Sequence, residues 1–72
     1  MESPIEKAVR IAGSQSALAR LVDVTPQAVQ QWVVSRRVSH KKVIEVERFT
    51  GVPRQELRPD IYPLEEIHSP VQ

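Results

Sequence analysis

The sequence predicts an all-α fold: a compact bundle of four to five short helices that contains a helix-turn-helix. Helix-start signals recur at Ser3-Pro4, Ser14 and Thr25-Pro26. At such a signal a hydroxyl accepts from first-turn amides, and proline tolerates the first helical position. The apolar residues after each signal follow the i, i+3, i+4 spacing of one helix face. Strand patterns are weak throughout, because Pro26 interrupts the one sufficiently apolar run.

Length and composition indicate one small domain. The chain has 72 residues, of which 40% are hydrophobic, and it has no cysteine, which excludes disulfides and thiolate metal sites. No apolar run approaches the roughly 18 residues that span a bilayer, and the first ten residues do not resemble a signal peptide. We therefore expect a soluble cytoplasmic domain over residues 1–62, followed by a flexible acidic tail over 63–72.

The first helix begins with a predicted capping box, in which Ser3 and Glu6 satisfy each other's backbone amides. Its apolar face comprises Ile5, Ala8, Val9 and Ala12. Gly13 should end it, and Ser14 should begin a second helix over about 15–22. The buried face expected for that second helix comprises Leu18, Ala19, Leu21 and Val22.

A third helix is predicted over about 26–33, with Val29, Trp32 and Val33 facing inward. The short turn before it contains Asp23, one of the few non-glycine residues that tolerate a left-handed backbone. Two short helices joined by such a turn form a helix-turn-helix. The third helix is therefore the candidate recognition helix.

A fourth helix is predicted over about 40–50, with Ser39 as its cap and Gly51 at its end. Its expected inner side comprises Val43, Val46 and Phe49. Residues 34–39 are expected to form a loop, and residues 54–57 one further helical turn.

The outer face of the third helix carries Gln27, Ala28, Gln30 and Gln31, and this helix has no lysine or glutamate. Glutamine donates and accepts at once, so it can pair bidentately with adenine in the major groove. A single exposed glutamine is ordinary helix surface. Three on one outer face after this turn favour base recognition.

Basic residues cluster directly after this helix: Arg36, Arg37, His40, Lys41 and Lys42. By itself such a cluster fits a solvated loop as well as it fits a phosphate site. Its position next to a recognition helix favours contacts with the DNA backbone, which set affinity and register.

An enzyme is not expected. The chain has two histidines, no glycine-rich phosphate loop and no metal-ligand spacing. We expect no cofactor, and we expect Trp32 in the core rather than on a surface that stacks bases.

The stretch GSQSALARLVDVTPQAVQQWV resembles the helix-turn-helix of phage Cro and repressor proteins. Together with the later GVPRQELRPDIYP, it is similar to the YdaS/Cro-like regulators of lambdoid phages and prophages, over about residues 5–62. Asp23 departs from the family pattern, which has glycine there. The resemblance implies a bundle of about five short helices that binds operator DNA.

The resemblance also implies roles for matching positions. The expected base-contacting residues are Pro26, Gln27, Ala28, Gln30 and Gln31. Gln15 and Thr25 are expected to contact phosphate, and so is Ser16, which is first a helix-cap candidate. The position of the basic cluster after the third helix adds Arg36, Arg37, His40, Lys41 and Lys42 to the expected phosphate contacts.

The function expected from these features is that of a Cro-like repressor acting on double-stranded operator DNA. Two alternatives remain open: an antitoxin whose main partner is a toxin protein, and a transcriptional activator that contacts RNA polymerase. A homodimer is expected, weak in solution and completed on DNA, because one recognition helix reads only a few base pairs. Its candidate interface residues are Phe49, Val52, Leu57, Ile61 and Tyr62, and closing the core is the alternative role for several of them.

Overall fold

Five helices make up the part of the chain that the computed structural model describes, residues 1–63. They are α1 (Pro4–Ala12), α2 (Gln15–Leu21), α3 (Pro26–Ser35), α4 (Val43–Thr50) and α5 (Arg54–Leu57). No strand occurs within this range, so the all-α prediction is confirmed. The expected flexible tail, 63–72, falls outside the described residues except for its first position.

The first three helices begin at the predicted caps. The Ser3 hydroxyl accepts from the Glu6 amide at 3.2 Å, and the Glu6 carboxylate accepts from the Ser3 amide at 2.8 Å. Ser14 caps α2 through the Ala17 amide at 3.0 Å. Thr25 caps α3 through the amide two residues beyond Pro26, at 3.1 Å. Each cap satisfies an amide that has no partner inside its helix, so local sequence fixes where these helices begin.

The fourth helix begins later than the sequence predicts, at Val43 rather than at residue 40. The Ser39 hydroxyl accepts from the Lys41 amide at 3.3 Å, and the Ser39 carbonyl accepts from the Lys42 amide at 2.9 Å. These bonds close a separate turn over residues 40–42 instead of capping the helix. Serine hydroxyls make both kinds of turn, which is why the cap prediction was wrong here.

The core lies where α1 meets the other four helices, since α1 contacts each of them. Its buried apolar residues are Ile5, Ala8, Leu18, Ala19, Val22, Val29, Trp32, Val38, Val43, Val46, Val52 and Leu57. The expected inward positions of α3 are confirmed for Val29 and Trp32, while Val33 is half-buried against this core. Trp32 is 7% exposed, which confirms its assignment to the core.

Phe49 was expected on the inner side of α4 and is instead 48% exposed. The buried positions of α4 are Val43, Val46 and Thr50. These three residues form the inner face of the helix, and Phe49 lies outside that face. Thr50 can occupy the core because its hydroxyl donates to the Val46 carbonyl at 2.6 Å and accepts from the Val52 amide at 3.3 Å. A buried hydroxyl with both roles filled avoids the cost of an unpaired polar group.

Leu21 was expected on the buried face of α2 and is 43% exposed. Leu18 and Val22, one helical turn apart, are fully buried, and Ala19 is buried beside them. These three fill the inner side of this short helix and leave Leu21 on its flank.

The turn between α2 and α3 has the predicted geometry. Asp23 adopts the left-handed conformation, with φ 60°. The Val24 amide then donates back to the Ala19 carbonyl at 2.9 Å, which is the 6→1 hydrogen bond of a Schellman motif. The buried Ala19 and this bond together hold α2 close to the start of α3.

Replacing Asp23 with glycine should stabilise the protein by about 0.5–1 kcal/mol, because a left-handed backbone is strained for a residue with a Cβ. Urea unfolding followed by circular dichroism would measure this. Asp23→Ala is the matched control and should destabilise, since alanine keeps the Cβ and loses the local hydrogen bonding of aspartate. A glycine variant with unchanged or lower stability would contradict the interpretation.

Candidate nucleic-acid interface

The outer face of α3 is free of contacts with the core. Val29 and Trp32 are buried on its inner side, which turns Gln27, Gln30 and Gln31 outward. All three glutamines are exposed. Gln27 and Gln31 are four residues apart, a spacing that brings their Cβ atoms within about 6 Å of each other. The helix therefore presents adjacent amide side chains on one surface.

The start of α3 borders this surface. Pro26 is exposed and Ala28 is half-buried. The Thr25 hydroxyl accepts from the Ala28 amide, so its own O–H is left to donate outward. At the start of α2, Ser16 is exposed and Gln15 is half-buried. These groups lie where the helix amides carry positive partial charge, which favours an anion.

Arg36 ends α3 in the left-handed conformation, with φ 60°. The Arg37 amide donates back to the Trp32 carbonyl at 3.1 Å, which closes the last turn of the helix. Both arginines are exposed. The structure therefore places two cations directly at the carboxyl end of the glutamine-bearing helix, where the helix dipole also favours positive charge.

The remaining residues expected to contact phosphate lie in the turn before α4. His40 and Lys41 are exposed. Lys42 is half-buried, and its ammonium lies 3.6 Å from the Glu45 carboxylate. Lys42 is thus partly neutralised within the protein, which weakens the case for it as a phosphate contact.

Sequence reasoning missed Arg20. An open cleft of about 180 Å³ lies between α2 and the start of α3, lined by Ser16, Ala19, Arg20, Val24 and Pro26. Arg20 is exposed, and it takes part in none of the ion pairs formed among residues 1–63. The detectable signal was its spacing: Ser16 and Arg20 are one helical turn apart on α2 and so share a face.

Sequence reasoning also missed Arg58, which follows α5. Its guanidinium donates to the Val38 carbonyl at 2.7 Å and to both carboxylate oxygens of Asp60, at 2.9 and 2.7 Å. The hydrogen bonds from Arg58 lower the pKa of Asp60 to about 2, and the charge of Arg37 contributes to the shift. Because this folded-state pKa is depressed, the pair stabilises the fold above the ordinary pKa of aspartate, and this contribution is lost as the pH falls towards 2.

In the part of the chain that the structure describes, no three acidic or histidine side chains are grouped so as to hold a metal ion. The helices described here are all too short and too polar to cross a membrane.

Comparison with known proteins identifies relatives along most of the chain. The sequence model of the family described as "Bacterial toxin YdaS" matches residues 5–66. The chain is 41% identical over 59 residues to the Escherichia coli (strain K12) protein named "Putative transcriptional regulator YdaS", covering 78% of this chain and 60% of that protein. It is 38% identical over 64 residues to "Gene 30 protein" of Enterobacteria phage phi80, covering 83% of this chain and 85% of that protein. No solved structure matches the chain.

The match extends from the first turn of α1 past the end of α5, so it includes both helices of the helix-turn-helix and the two arginines that follow α3. The chain therefore belongs to the YdaS family, as its sequence resemblance to YdaS/Cro-like phage regulators indicated.

Proposed function

We propose that this protein is a transcriptional regulator that binds double-stranded DNA in a sequence-specific manner, and that it acts as a Cro-like repressor of phage or prophage genes. The observation that carries the proposal is the exposed glutamine face of α3, flanked by arginines at the helix end. The name of the Escherichia coli relative supports a regulatory role. The chain spans 60% of that relative's length, so the role is argued from this chain's own residues.

Base recognition is assigned to α3. In a helix-turn-helix the second helix enters the major groove, and residues near its amino end reach base edges. Gln27 and Gln31 are the principal readers, because each can pair bidentately with adenine N6 and N7. Gln30 lies beside them, while Pro26 and Ala28 offer apolar contact, for example to a thymine methyl group.

Phosphate contacts are assigned to the groups around this helix. Gln15, Ser16 and Thr25 lie at the amino ends of α2 and α3, and Arg36 and Arg37 lie at the carboxyl end of α3. His40, Lys41 and Lys42 extend the basic surface towards α4. Contacts at both ends of a helix fix its register in the groove, whereas the bases select the sequence.

A homodimer completes the proposal, because two half-sites one helical turn apart, about 34 Å, need two recognition helices related by a two-fold axis. Val52 and Leu57, two of the expected interface residues, are each 1% exposed and belong to the core, so they are withdrawn as interface candidates. Phe49 and Ile61 are 48% and 41% exposed and remain candidates. An interface with so few residues fits a dimer that is weak in solution and assembles fully on DNA. Sedimentation showing a tight dimer at nanomolar concentration would contradict this expectation.

Repression is the simplest consequence of such binding. A small domain that occupies a promoter blocks polymerase without further chemistry, whereas activation requires an additional surface that contacts polymerase. The proposal is tested by fluorescence anisotropy, with DNA from upstream of the gene and a shuffled duplex of equal length. Preference for the upstream DNA is expected, and equal binding to both duplexes at every salt concentration would overturn the proposal.

Replacing Arg36 and Arg37 together with alanine should weaken binding to the upstream and shuffled DNA about equally. Each phosphate contact contributes about 0.9 to the slope of log K against log salt concentration, so the slope should fall in magnitude by about 1.8 for each protomer bound. Titrations at several salt concentrations would measure it. Lys7→Ala combined with Arg48→Ala is the matched control, since it removes the same charge from exposed positions on α1 and α4. An equal loss of slope in the control would assign the effect to net charge alone.

The family description favours a second candidate function, in which the protein acts within a toxin–antitoxin pair. The description calls the family a toxin rather than an antitoxin, so the first question is whether expression of this chain arrests growth. Arrest that persists in Gln27→Ala combined with Gln31→Ala would indicate a target other than specific DNA. Arrest that disappears in this variant would make toxicity a consequence of gene regulation.

A further inference from the structure

Arg58 connects two segments that are distant in sequence. Its guanidinium bonds to the Val38 carbonyl, 20 residues away, at 2.7 Å. Its side chain is 12% exposed, so most of it is withdrawn from solvent. The Asp60 carboxylate accepts two of its N–H groups in a forked arrangement, which fixes the plane of the guanidinium.

Val38 lies in the basic loop, defined here as residues 36–39. Its side chain is 0% exposed, and its carbonyl is the acceptor for Arg58. The residue directly after Arg37 is thus fixed on both its side chain and its backbone. Backbone held in this way restricts the directions in which the Cα–Cβ bonds of the preceding arginines can point.

The segment that carries Arg58 is itself fixed to the core. Leu57 is buried directly before it, and the Tyr62 amide donates to the Arg58 carbonyl at 2.8 Å. Arg54 lies over the Tyr62 ring at 5.7 Å and bonds to the Glu47 carboxylate at 2.7 Å. Arg58 therefore joins the basic loop to a rigid part of the bundle rather than to a free segment.

We propose that Arg58, oriented by Asp60, is a positioning residue for DNA binding: it holds the Val38 carbonyl and thereby directs Arg36 and Arg37 towards the phosphates. The inference rests on the proposed function, since it assigns a support to that phosphate-binding surface. Arg58 acts through the loop, so its effect on DNA binding depends on the two arginines that the loop carries.

The first test needs no DNA. Heteronuclear ¹H–¹⁵N relaxation of the full chain is compared between wild type, Arg58→Ala and Arg58→Lys. In Arg58→Ala the amides of residues 36–39 should become mobile on the nanosecond timescale, while those of α3 stay rigid. Arg58→Lys keeps one donor for the Val38 carbonyl and should restore part of the order. If Arg58→Ala does not fold, Arg58→Lys against wild type carries the comparison. If the relaxation of the loop amides in a folded variant is the same as in the wild type, the proposal is overturned.

The second test is a double-mutant cycle on shuffled duplex DNA. Arg58→Ala alone should lower the magnitude of the salt slope by about 1, as expected for the loss of one phosphate contact. In the background of Arg36→Ala combined with Arg37→Ala it should have little further effect, because the groups that it positions are gone. Additive effects would show that Arg58 acts independently of these arginines and would overturn the proposal.

The two tests separate this inference from the proposed function. If the wild type binds no DNA at any salt concentration, the proposed function fails and the positioning role in DNA binding fails with it. The relaxation measurement then still decides whether Arg58 orders the basic loop. If the wild type binds DNA and the loop amides are unchanged in the variants, the positioning role alone fails.

Discussion

Alanine at both Gln27 and Gln31 is expected to abolish the preference for the native site while leaving non-specific binding almost intact. Each bidentate glutamine–adenine pair is worth about 1–3 kcal/mol of discrimination, so losing two should lower the ratio of specific to shuffled affinity by at least about thirtyfold. The salt slope should stay close to that of the wild type, because both side chains are uncharged. Anisotropy titrations on the upstream and shuffled duplexes would measure both quantities.

Two controls sharpen this result. Gln55→Ala removes the same kind of side chain from α5, outside the proposed interface, and should keep the wild-type preference. Gln27 and Gln31 are exposed, so the free energy of unfolding of the double variant should lie within about 0.5 kcal/mol of the wild-type value. A folded double variant that still prefers the upstream DNA would show that α3 does not read bases through these residues.

Trp32→Ala is expected to be the most destabilising single substitution on α3. The side chain is 7% exposed and belongs to the core, and truncation of a buried tryptophan costs about 3–5 kcal/mol. A domain of this size has a total stability of only about 4–11 kcal/mol. The midpoint of thermal unfolding should therefore fall well below that of the wild type when it is followed by far-UV circular dichroism, which does not depend on the tryptophan that is removed.

Val34→Ala is the matched control on the same helix. Val34 is 72% exposed, so its truncation should change the free energy of unfolding by less than about 0.5 kcal/mol. If Trp32→Ala were equally mild, the indole would not be part of the cooperative core. Its exposure on a surface that stacks bases would then have to be reconsidered.

The helix boundaries show which structural features can be predicted from local sequence. Ser3, Ser14 and Thr25 cap their helices as predicted, because a cap involves only a residue and an amide three positions later. Asp23 takes the left-handed conformation for an equally local reason. The fourth helix was misplaced at its start because Ser39 had a second local option, the turn over 40–42.

The composition of the core was predictable only in part. Val29 and Trp32 followed from the spacing of α3, whereas Leu21 and Phe49 were placed inside and lie outside. A short helix offers several apolar positions, and the neighbouring helices decide which of them are covered. Local periodicity therefore predicts which side of the helix is buried, but it does not predict which residues on that side the neighbouring helices cover.

Local sequence is enough to predict the helical class, the starts of three helices, the left-handed turn before α3 and the identity of the glutamine-bearing face. These features depend on residues within one or two helical turns of each other. The burial of Val38 within the basic loop and the bond from Arg58 to its carbonyl depend instead on tertiary packing. A hydrogen bond between residues 20 positions apart leaves no periodic trace in the sequence, because it depends on how α3, α4 and α5 pack against one another.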